Sequence, residues 1–360
     1  MLLAENKTLL TTRKFDLNSL IMDIKTTCPK YYYQVNAQVL QNVSNRLSKA
    51  FDSFFRRVKE NSSKVGYPRF KSKIKSITYP QSKGAFKFIS DNKIRVSKLG
   101  NIPIVLHRVP KGKIKTLTIK VNKANQWFAI FGCEVDVKAI KHSSKAKVGI
   151  DAGLESFAFL TNNKTIPNPR FLVKAEKRLK LLQRRLSRKK IGSANRRKAR
   201  LKLAKQHIKV TNQRTDFHHK ESSKIAKAYS FVAVEDLNIN GMLKNHYLAK
   251  NISDAGWGSF IQMLFYKVVA NGGQLVKVNP RNTSKTCSKC GTITEMPLSK
   301  REFICPKCGF ACHRDLNSAY NILKIGQDLP ESTPVDIEPL QQSSSVASSV
   351  VETGTTIGNS

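Results

Sequence analysis

The chain has 360 residues, of which 40% are hydrophobic, and its 64 Lys and Arg against 24 Asp and Glu give a formal net charge of +40. That length is enough for two or three modules with ordinary cores. So much charge of one sign opposes compaction unless a polyanion shares it, which makes nucleic acid the expected partner. A membrane surface is the weaker alternative, because no run of about 18 apolar residues exists to span a bilayer. Residues 1–10 lack the apolar core of a signal peptide, so the expected location is the cytoplasm of a prokaryotic cell.

Helical and then β-type patterns follow one another along the first 145 residues. From 31 to 59 the apolar residues recur at helical spacing, which predicts an amphipathic helix. Short β-type runs separated by turn residues come next, and they predict a small antiparallel β-barrel. These runs are FKFI at 86–89, KIRV at 93–96, IPIVL at 102–106, IKTLTIKV at 114–121 and WFAIFGCEVDV at 127–137.

A second module is predicted to begin at Ala146. Its expected strands include VGID at 148–151, SFAFLTN at 156–162, FVAVE at 231–235 and QLVKV at 274–278. Residues 170–209 hold 17 Lys and Arg against one acid, and they predict a helical hairpin in which Ser193 is the N-cap of the second helix. The apolar stripes expected to line this hairpin are Leu179, Leu182 and Leu186 on the first helix, and Leu201, Ala204 and Ile208 on the second.

The C-terminal part is predicted to end in two helices and a tail. One helix is expected over 254–272 and another over 316–325. No Lys or Arg follows Lys324, and residues 325–360 are rich in Ser, Thr, Gln and Pro and carry five acids. This composition predicts a disordered tail.

Four of the seven cysteines form two close pairs, Cys287-x-x-Cys290 and Cys305-x-x-Cys308, separated by 14 residues. Glycine follows each pair, as a tight knuckle of backbone around a thiolate requires. Four thiolates fill a tetrahedral Zn²⁺ shell and leave no open position, so the predicted zinc is structural. Redox pairs are the alternative, and the neighbouring Cys312 and His313 are possible substitute ligands.

Three acids stand at positions where separate segments can converge. Asp151 ends the strand VGID, Glu235 ends VAVE, and Asp315 precedes a helix in HRDLNSAYNIL. Clustered carboxylates repel one another unless cations intervene, and hard oxygen ligands suit Mg²⁺. Two such ions about 3.5–4 Å apart can activate water and stabilise the leaving 3′ oxygen in phosphodiester cleavage. Taken singly, an acid at such a position is usually a turn or capping residue.

Basic and aromatic residues mark candidate nucleic-acid contacts. The GYPRFKSKI segment at 66–74 interleaves aromatic rings with cations, and rings there can stack on bases or pack beneath a loop. His218 and His219 are expected to be structural, because metal-dependent chemistry needs no histidine base. The candidate contacts are Tyr67, Arg69, Phe70, Lys71, Arg184, Arg185, Arg188, Arg196, Arg197 and Arg214.

The motifs GIDAG, VEDLNI, TSKTCSKCG, REFICPKCG and HRDLNSAYNI, in that order, resemble the TnpB (OrfB) family over about residues 31–324. These are transposon-encoded proteins of insertion sequences, similar to type V CRISPR effectors. The resemblance implies an α/β fold: an RNase H-like RuvC nuclease with a zinc ribbon insertion, preceded by a wedge β-barrel with a helical recognition insertion. It implies a barrel over 1–145 with its insertion at about 31–75, a nuclease over 146–324 with a basic hairpin at 170–226 and a zinc ribbon at 283–312, and a tail over 325–360.

The resemblance also implies roles and partners. Asp151, Glu235 and Asp315 match the family's catalytic, Mg²⁺-binding acids. A guide RNA from the transposon end directs cleavage of target DNA, while a separate transposase of the same element carries out transposition. The zinc ligands match Cys287, Cys290, Cys305 and Cys308.

Two departures and two alternatives accompany this hypothesis. The chain begins inside the strand and helix with which the family normally starts, so we expect a truncated barrel, and His313 stands where the family often has an acid. One alternative is a non-cleaving nucleic-acid-binding remnant or regulator. The other is a transposase that joins DNA strands directly, since it would share the fold and the metal chemistry.

Overall fold

The computed structural model describes residues 14–62, 65–69, 71–135, 140–297, 300–329 and 351–355. These residues fall in two compact units, one formed by residues up to 135 together with 351–355, the other by 140–329. In this described part of the chain, no helix has the length and apolar character that crossing a membrane demands.

The first unit combines helices with two antiparallel sheets. Its elements are α1 (Lys14–Thr27), α2 (Pro29–Tyr32), α3 (Ala37–Lys59), β1 (Ser76–Tyr79), β2 (Phe86–Ser90), β3 (Lys93–Val96), β4 (Gly100–Pro103), β5 (Lys113–Val121), β6 (Trp127–Glu134) and β14 (Val351–Thr355). One sheet has the order β1-β5-β6-β14 and the other the order β2-β3-β4. The two sheets and the helix α3 share one apolar core, to which β3 contributes Ile94 and Val96, β5 contributes Leu117, and β6 contributes Phe131.

The predicted β-runs of this unit are found with shifted ends, and the predicted helix is shorter. α3 begins at Ala37 because the Asn36 side chain accepts a hydrogen bond from the Gln38 amide and caps it. β4 covers 100–103 instead of 102–106, since Gly100–Pro103 is the stretch that pairs with β3. Helix α1 was not predicted.

The second unit is built on a mixed five-stranded sheet. Its elements are β7 (Lys147–Ala152), β8 (Ser156–Leu160), β9 (Thr165–Pro167), α4 (Phe171–Ser187), α5 (Ala194–Ala228), β10 (Phe231–Glu235), α6 (Ile239–Met242), α7 (Ala249–Ala255), α8 (Trp257–Ala270), β11 (Gln274–Val278), β12 (Glu302–Ile304), β13 (Ala311–His313) and α9 (Arg314–Asp328). The order of the sheet is β11-β10-β7-β8-β9. β7 is parallel to β10, and β10 to β11, whereas β8 and β9 are antiparallel to their neighbours.

The two faces of this sheet have different packing partners. Val148 and Ile150 of β7 point into a core with Trp257 and Leu264 of α8. The residues between them point the other way, because side chains alternate along a strand. On that opposite face, a Cβ atom at Gly149 would clash with the Ala319 carbonyl oxygen of α9. Glycine at 149 therefore lets α9 lie directly against β7.

The basic hairpin forms as predicted, with a different inner stripe. The Ser193 hydroxyl accepts a hydrogen bond from the Arg196 amide at 3.1 Å, which confirms its capping role. Leu179 and Leu182 of α4 are buried against Leu203 and Val210 of α5. Leu201, Ala204 and Ile208 are only partly buried, so the stripe predicted on α5 was wrong.

The C-terminal helices also differ from the prediction. The expected helix over 254–272 is interrupted at Gly256, whose positive φ of 65° ends α7 and starts α8. α9 runs to Asp328, because Ile322 and Gly326 are buried and continue its inner face. Of the predicted disordered tail, 330–350 and 356–360 lie outside the described residues. Residues 351–355 form β14, whose backbone pairs with β6, so disorder was wrong for that segment.

Candidate active site and zinc ribbon

The two cysteine pairs form matching knuckles in the ribbon. The Gly291 amide donates to the Cys287 carbonyl at 2.9 Å, and the Gly309 amide donates to the Cys305 carbonyl at 3.0 Å. Both glycines have positive φ, 77° and 69°, which confirms why glycine follows each pair.

The geometry of the sulfurs fits a metal ion. All four Sγ atoms lie within 4.8 Å of one another, and two of the pairs are 3.5 and 3.7 Å apart. A zinc tetrahedron with bonds of about 2.3 Å needs sulfurs about 3.8 Å apart. Cys312 and His313 are not members of this cluster among the described residues.

The sheet brings two of the predicted acids to neighbouring strand ends. Val234 lies opposite Ile150 in the parallel pair of β10 and β7, so Glu235 and Asp151 follow at equivalent positions. By strand alternation both carboxylates point to the face that α9 covers. Asp315 is the second residue of α9 and lies at the N-terminal end of that helix. Three segments far apart in sequence therefore place their acids together.

The electrostatics of Asp151 report this clustering. Burial, and then the negative charges of Glu235 and Asp315, raise its pKa to about 8, although Arg314 and a hydrogen bond with Ser318 act in the opposite direction. Burial likewise raises the pKa of Glu235, against a hydrogen bond from Thr283 that lowers it. A bound cation would stabilise the ionised forms of Asp151 and Glu235, and carboxylate oxygens are the donors that Mg²⁺ prefers.

Several residues around the acids were not singled out from the sequence. The Thr283 hydroxyl donates to Glu235 Oε1 at 2.6 Å. Arg301 pairs with Glu155 at 2.6 Å and lies 4.0 Å from Asp315. The Asn and Ser residues of LNSAYN, at inward positions of a helix, are a sequence signal for such contacts. Residues of these types are disfavoured in helix interiors unless they have hydrogen-bond partners.

His313 and His218 have structural contacts. The His313 ring stacks on Phe159 with centroids 5.0 Å apart, and its Nδ1 accepts a hydrogen bond from the Asp315 amide. His218 is fully buried and its Nε2 contacts the Ala255 carbonyl at 2.9 Å.

The candidate nucleic-acid contacts divide into free and internally bonded side chains. Arg196 donates from one nitrogen to the Leu186 and Lys189 carbonyls, and Arg214 lies 3.6 Å from the Asp254 carboxylate. Tyr67 is 58% exposed, and its ring packs edge-to-face on Phe51 and Phe54. The ring therefore packs against the protein, as one interpretation has it, and keeps an exposed surface for base stacking, as the other has it. Phe70 lies outside the described residues. The side chains exposed to solvent are Arg69, Lys71, Arg184, Arg185, Arg188 and Arg197.

Comparisons with known proteins agree with the family resemblance. The family described as "Probable transposase" (OrfB_IS605) matches residues 131–246, and the family described as "Cas12f1-like, TNB domain" matches residues 257–322. A Streptomyces pristinaespiralis protein named "Putative RNA-guided DNA endonuclease" is 36% identical over 334 residues, which cover 91% of this chain and 81% of that protein. The "Putative RNA-guided DNA endonuclease InsQ" of Escherichia coli K12 is 30% identical over 306 residues, 81% of this chain and 74% of that protein.

Among solved structures, the cryo-EM structure of a CRISPR-Cas12f ternary complex aligns with 85% of this chain and 74% of its own chain, at 18% identity and a TM-score of 0.40. The sequence matches define a class, the nucleic-acid-acting proteins encoded by transposable elements. Within that class, the chain belongs to the TnpB (OrfB) family.

Proposed function

We propose that this chain is an RNA-guided DNA endonuclease that cleaves phosphodiester bonds with Asp151, Glu235 and Asp315. The observation that carries the proposal is the convergence of these acids, which come from β7, β10 and α9, on one face of the sheet. A structural role does not explain it, because carboxylates that lie together at buried or partly buried positions repel one another and destabilise a fold unless a ligand compensates.

The second unit would then be an RNase H-like RuvC nuclease over 146–324, with the ribbon at 283–312 as its structural zinc module. Support comes from the mixed five-stranded sheet, whose central parallel strands end in the first and second acids. The wedge barrel predicted over 1–145 would correspond to the first unit, except that residues 140–145 belong to the second. Its support is the two antiparallel sheets around one core and the helices α1 to α3.

The acids and the cysteines would bind different metal ions with different roles. Asp151, Glu235 and Asp315 would hold Mg²⁺, and Cys287, Cys290, Cys305 and Cys308 would hold Zn²⁺. When bound by the three acids, a pair of Mg²⁺ ions supplies activation of the attacking water and stabilisation of the leaving oxygen. The N-terminal end of α9 and Arg314 add positive potential beside the carboxylates and favour bound anions such as phosphate.

The charge distribution supports nucleic-acid partners. Base pairing with a guide RNA would select the target, so the protein needs cationic surfaces that grip backbones more than it needs base-reading side chains. The hairpin of α4 and α5 presents such a surface through Arg184, Arg185, Arg188 and Arg197. The guide would come from the transposon end, a separate transposase would carry out transposition, and the site of action would be the prokaryotic cytoplasm.

The decisive experiment starts from protein purified with RNA from its own locus, whose bound RNA is sequenced. The complex is then given plasmid DNA with randomised sequence beside the guide match, together with Mg²⁺. We expect guide-dependent cuts that disappear in Asp315→Ala. Bound RNA without cuts would favour a binding remnant or regulator, and joined DNA ends would favour a strand-transfer transposase. Either result would contradict the proposal.

A further inference from the structure

Glu235 is held by a residue of the zinc ribbon loop. Its side chain is 8% exposed at the end of β10, and its Oε1 accepts a short hydrogen bond, 2.6 Å, from the Thr283 hydroxyl. Thr283 is itself only 4% exposed, so water does not compete freely for this bond. The same hydroxyl lies 3.1 Å from the Pro280 carbonyl, and its single proton can serve only one acceptor at a time.

The loop that carries Thr283 is fastened to α9. Asn321 donates from Nδ2 to the carbonyls of Thr283 and Thr286, at 2.8 and 2.6 Å. Asn317 donates to the Thr286 carbonyl at 2.7 Å and accepts from the Ser288 amide at 2.9 Å. Asn317 is fully buried and Asn321 nearly so, which makes these amides expensive to leave unpaired and the attachment firm.

This attachment links the candidate metal ligands to the ribbon. Cys287, a ribbon thiolate, lies between the two anchored residues Thr286 and Ser288. Asp315 begins the helix that supplies both asparagines. One short loop therefore joins the second acid, the helix of the third acid and the first zinc knuckle.

We propose that Thr283 is a positioning residue, which fixes the orientation of the Glu235 carboxylate so that it can bind a divalent ion together with Asp151 and Asp315. This inference rests on the proposed function, because it presumes that the three acids bind Mg²⁺. A carboxylate oriented in advance loses less conformational freedom when a metal binds. In this role Thr283 acts on the ion through its hydrogen bond to Glu235.

The test measures binding of Mn²⁺, as a paramagnetic substitute for Mg²⁺, to the zinc-loaded protein by electron paramagnetic resonance. We compare the wild type with Thr283→Val, which keeps the shape of the side chain and removes the hydroxyl, and with Thr283→Ser, which restores it. We expect Thr283→Val to weaken Mn²⁺ binding about tenfold, in line with the loss of a hydrogen bond to a charged group. Thr283→Ser should bind within about threefold of the wild type.

A matched control is Thr294→Val, because the Thr294 hydroxyl is buried in the same ribbon with no hydrogen-bond partner among the described residues. This variant should bind Mn²⁺ as the wild type does. Melting temperatures of all variants distinguish a loss of metal positioning from a loss of folding. If the role of Thr283 were purely structural, Thr283→Val would lower the melting temperature and Thr283→Ser would not restore Mn²⁺ binding.

The outcomes separate the two proposals. If the wild type binds Mn²⁺ in a manner that Asp151→Ala abolishes and Thr283→Val binds equally well, the positioning role is overturned while the nuclease proposal stands. If the wild type and Asp151→Ala do not differ, no ion occupies the acid site and both proposals fall.

Discussion

Asp151 combines burial with two like charges, which makes it both a candidate ligand and a source of instability. A carboxyl group whose pKa rises from 3.8 to about 8 on folding binds a proton more tightly in the native than in the unfolded state. Its contribution to stability is therefore highest below pH 4 and is lost as the pH rises towards 8. The metal-free protein carries this cost at physiological pH, and a bound cation relieves it.

Replacing the charge should show this cost directly. Without Mg²⁺ at pH 8.5, Asp151→Asn should melt about 3 °C above the wild type, for a gain of about 1–2 kcal/mol, while its cleavage activity is abolished. At pH 6 the gain should shrink, since the native wild type then holds the proton. Thermal melts at both pH values, with and without 10 mM Mg²⁺, make the measurement. An equal gain at both pH values would show that charge repulsion is not its source.

His218 changes the folding stability in the opposite direction, because it destabilises the native state when the pH falls. Burial, more than any neighbouring charge, lowers its pKa from 6.5 to about 4, so the unfolded chain takes up a proton that the native state refuses. The stability that this residue contributes is complete above pH 6.5 and is lost as the pH falls towards 4. Between pH 7 and pH 5 the loss should be about 2 kcal/mol. His218→Gln keeps a donor for the Ala255 carbonyl, and its unfolding free energy in urea should lack this part of the pH dependence. Parallel curves for both proteins would contradict the assignment.

At the scale of elements, the pattern of apolar residues predicted most of the strands. It did not determine which side chains come together, because that depends on the element against which each helix or strand packs. VGID and VAVE were recognisable as runs of apolar, largely β-branched residues that end in an acid. The parallel pairing of β7 with β10 makes those two acids neighbours, and α9 adds the third. On α5 several apolar stripes are possible over 35 residues, and contact with α4 selects Leu203 and Val210. The bond from Thr283 to Glu235 spans 48 residues of sequence, and no local signal contains it.

The ribbon is an element whose stability should depend on its metal. Phe303, Cys287 and Cys305 are the buried apolar residues of its described part, and so small a core cannot fold without a further constraint. Cys305→Ser should lower the melting temperature by at least about 5 °C and release zinc, which a colorimetric chelator measures. Cys28→Ser, at an exposed free cysteine, should do neither.

Glu235→Ala should abolish cleavage without lowering the melting temperature. If Glu235→Ala lowered the melting temperature and kept cleavage, while Cys305→Ser abolished cleavage and kept the melting temperature, the roles given to the acid site and the ribbon would be wrong.

At the scale of the whole molecule, the charge of +40 is not spread evenly along the chain. Residues 170–209 contribute 17 cationic side chains and one acid, while no Lys or Arg follows Lys324. Composition alone predicts a nucleic-acid partner, in agreement with the proposed function, because charge reports on the surface and needs no knowledge of the fold. It could not separate cations that are free to bind phosphate from those with internal partners. Arg184 and Arg196 lie on the same hairpin and differ in this respect.

That difference can be measured through the salt dependence of binding. Each phosphate contact adds about 0.9 to the slope of log affinity against log salt for duplex DNA. Replacing the exposed Arg184, Arg188 and Arg197 together by Gln should lower this slope by about 2–3 and leave the melting temperature unchanged. Arg196→Gln should leave this slope unchanged and lower the melting temperature, since the Arg196 guanidinium bonds the carbonyls of Leu186, in the last turn of α4, and of Lys189, just beyond it. Fluorescence anisotropy with a labelled duplex, titrated from 50 to 300 mM salt, gives the slopes. If the triple variant keeps the wild-type slope, the exposed face of the hairpin does not carry the nucleic acid, and another basic surface of the chain must do so.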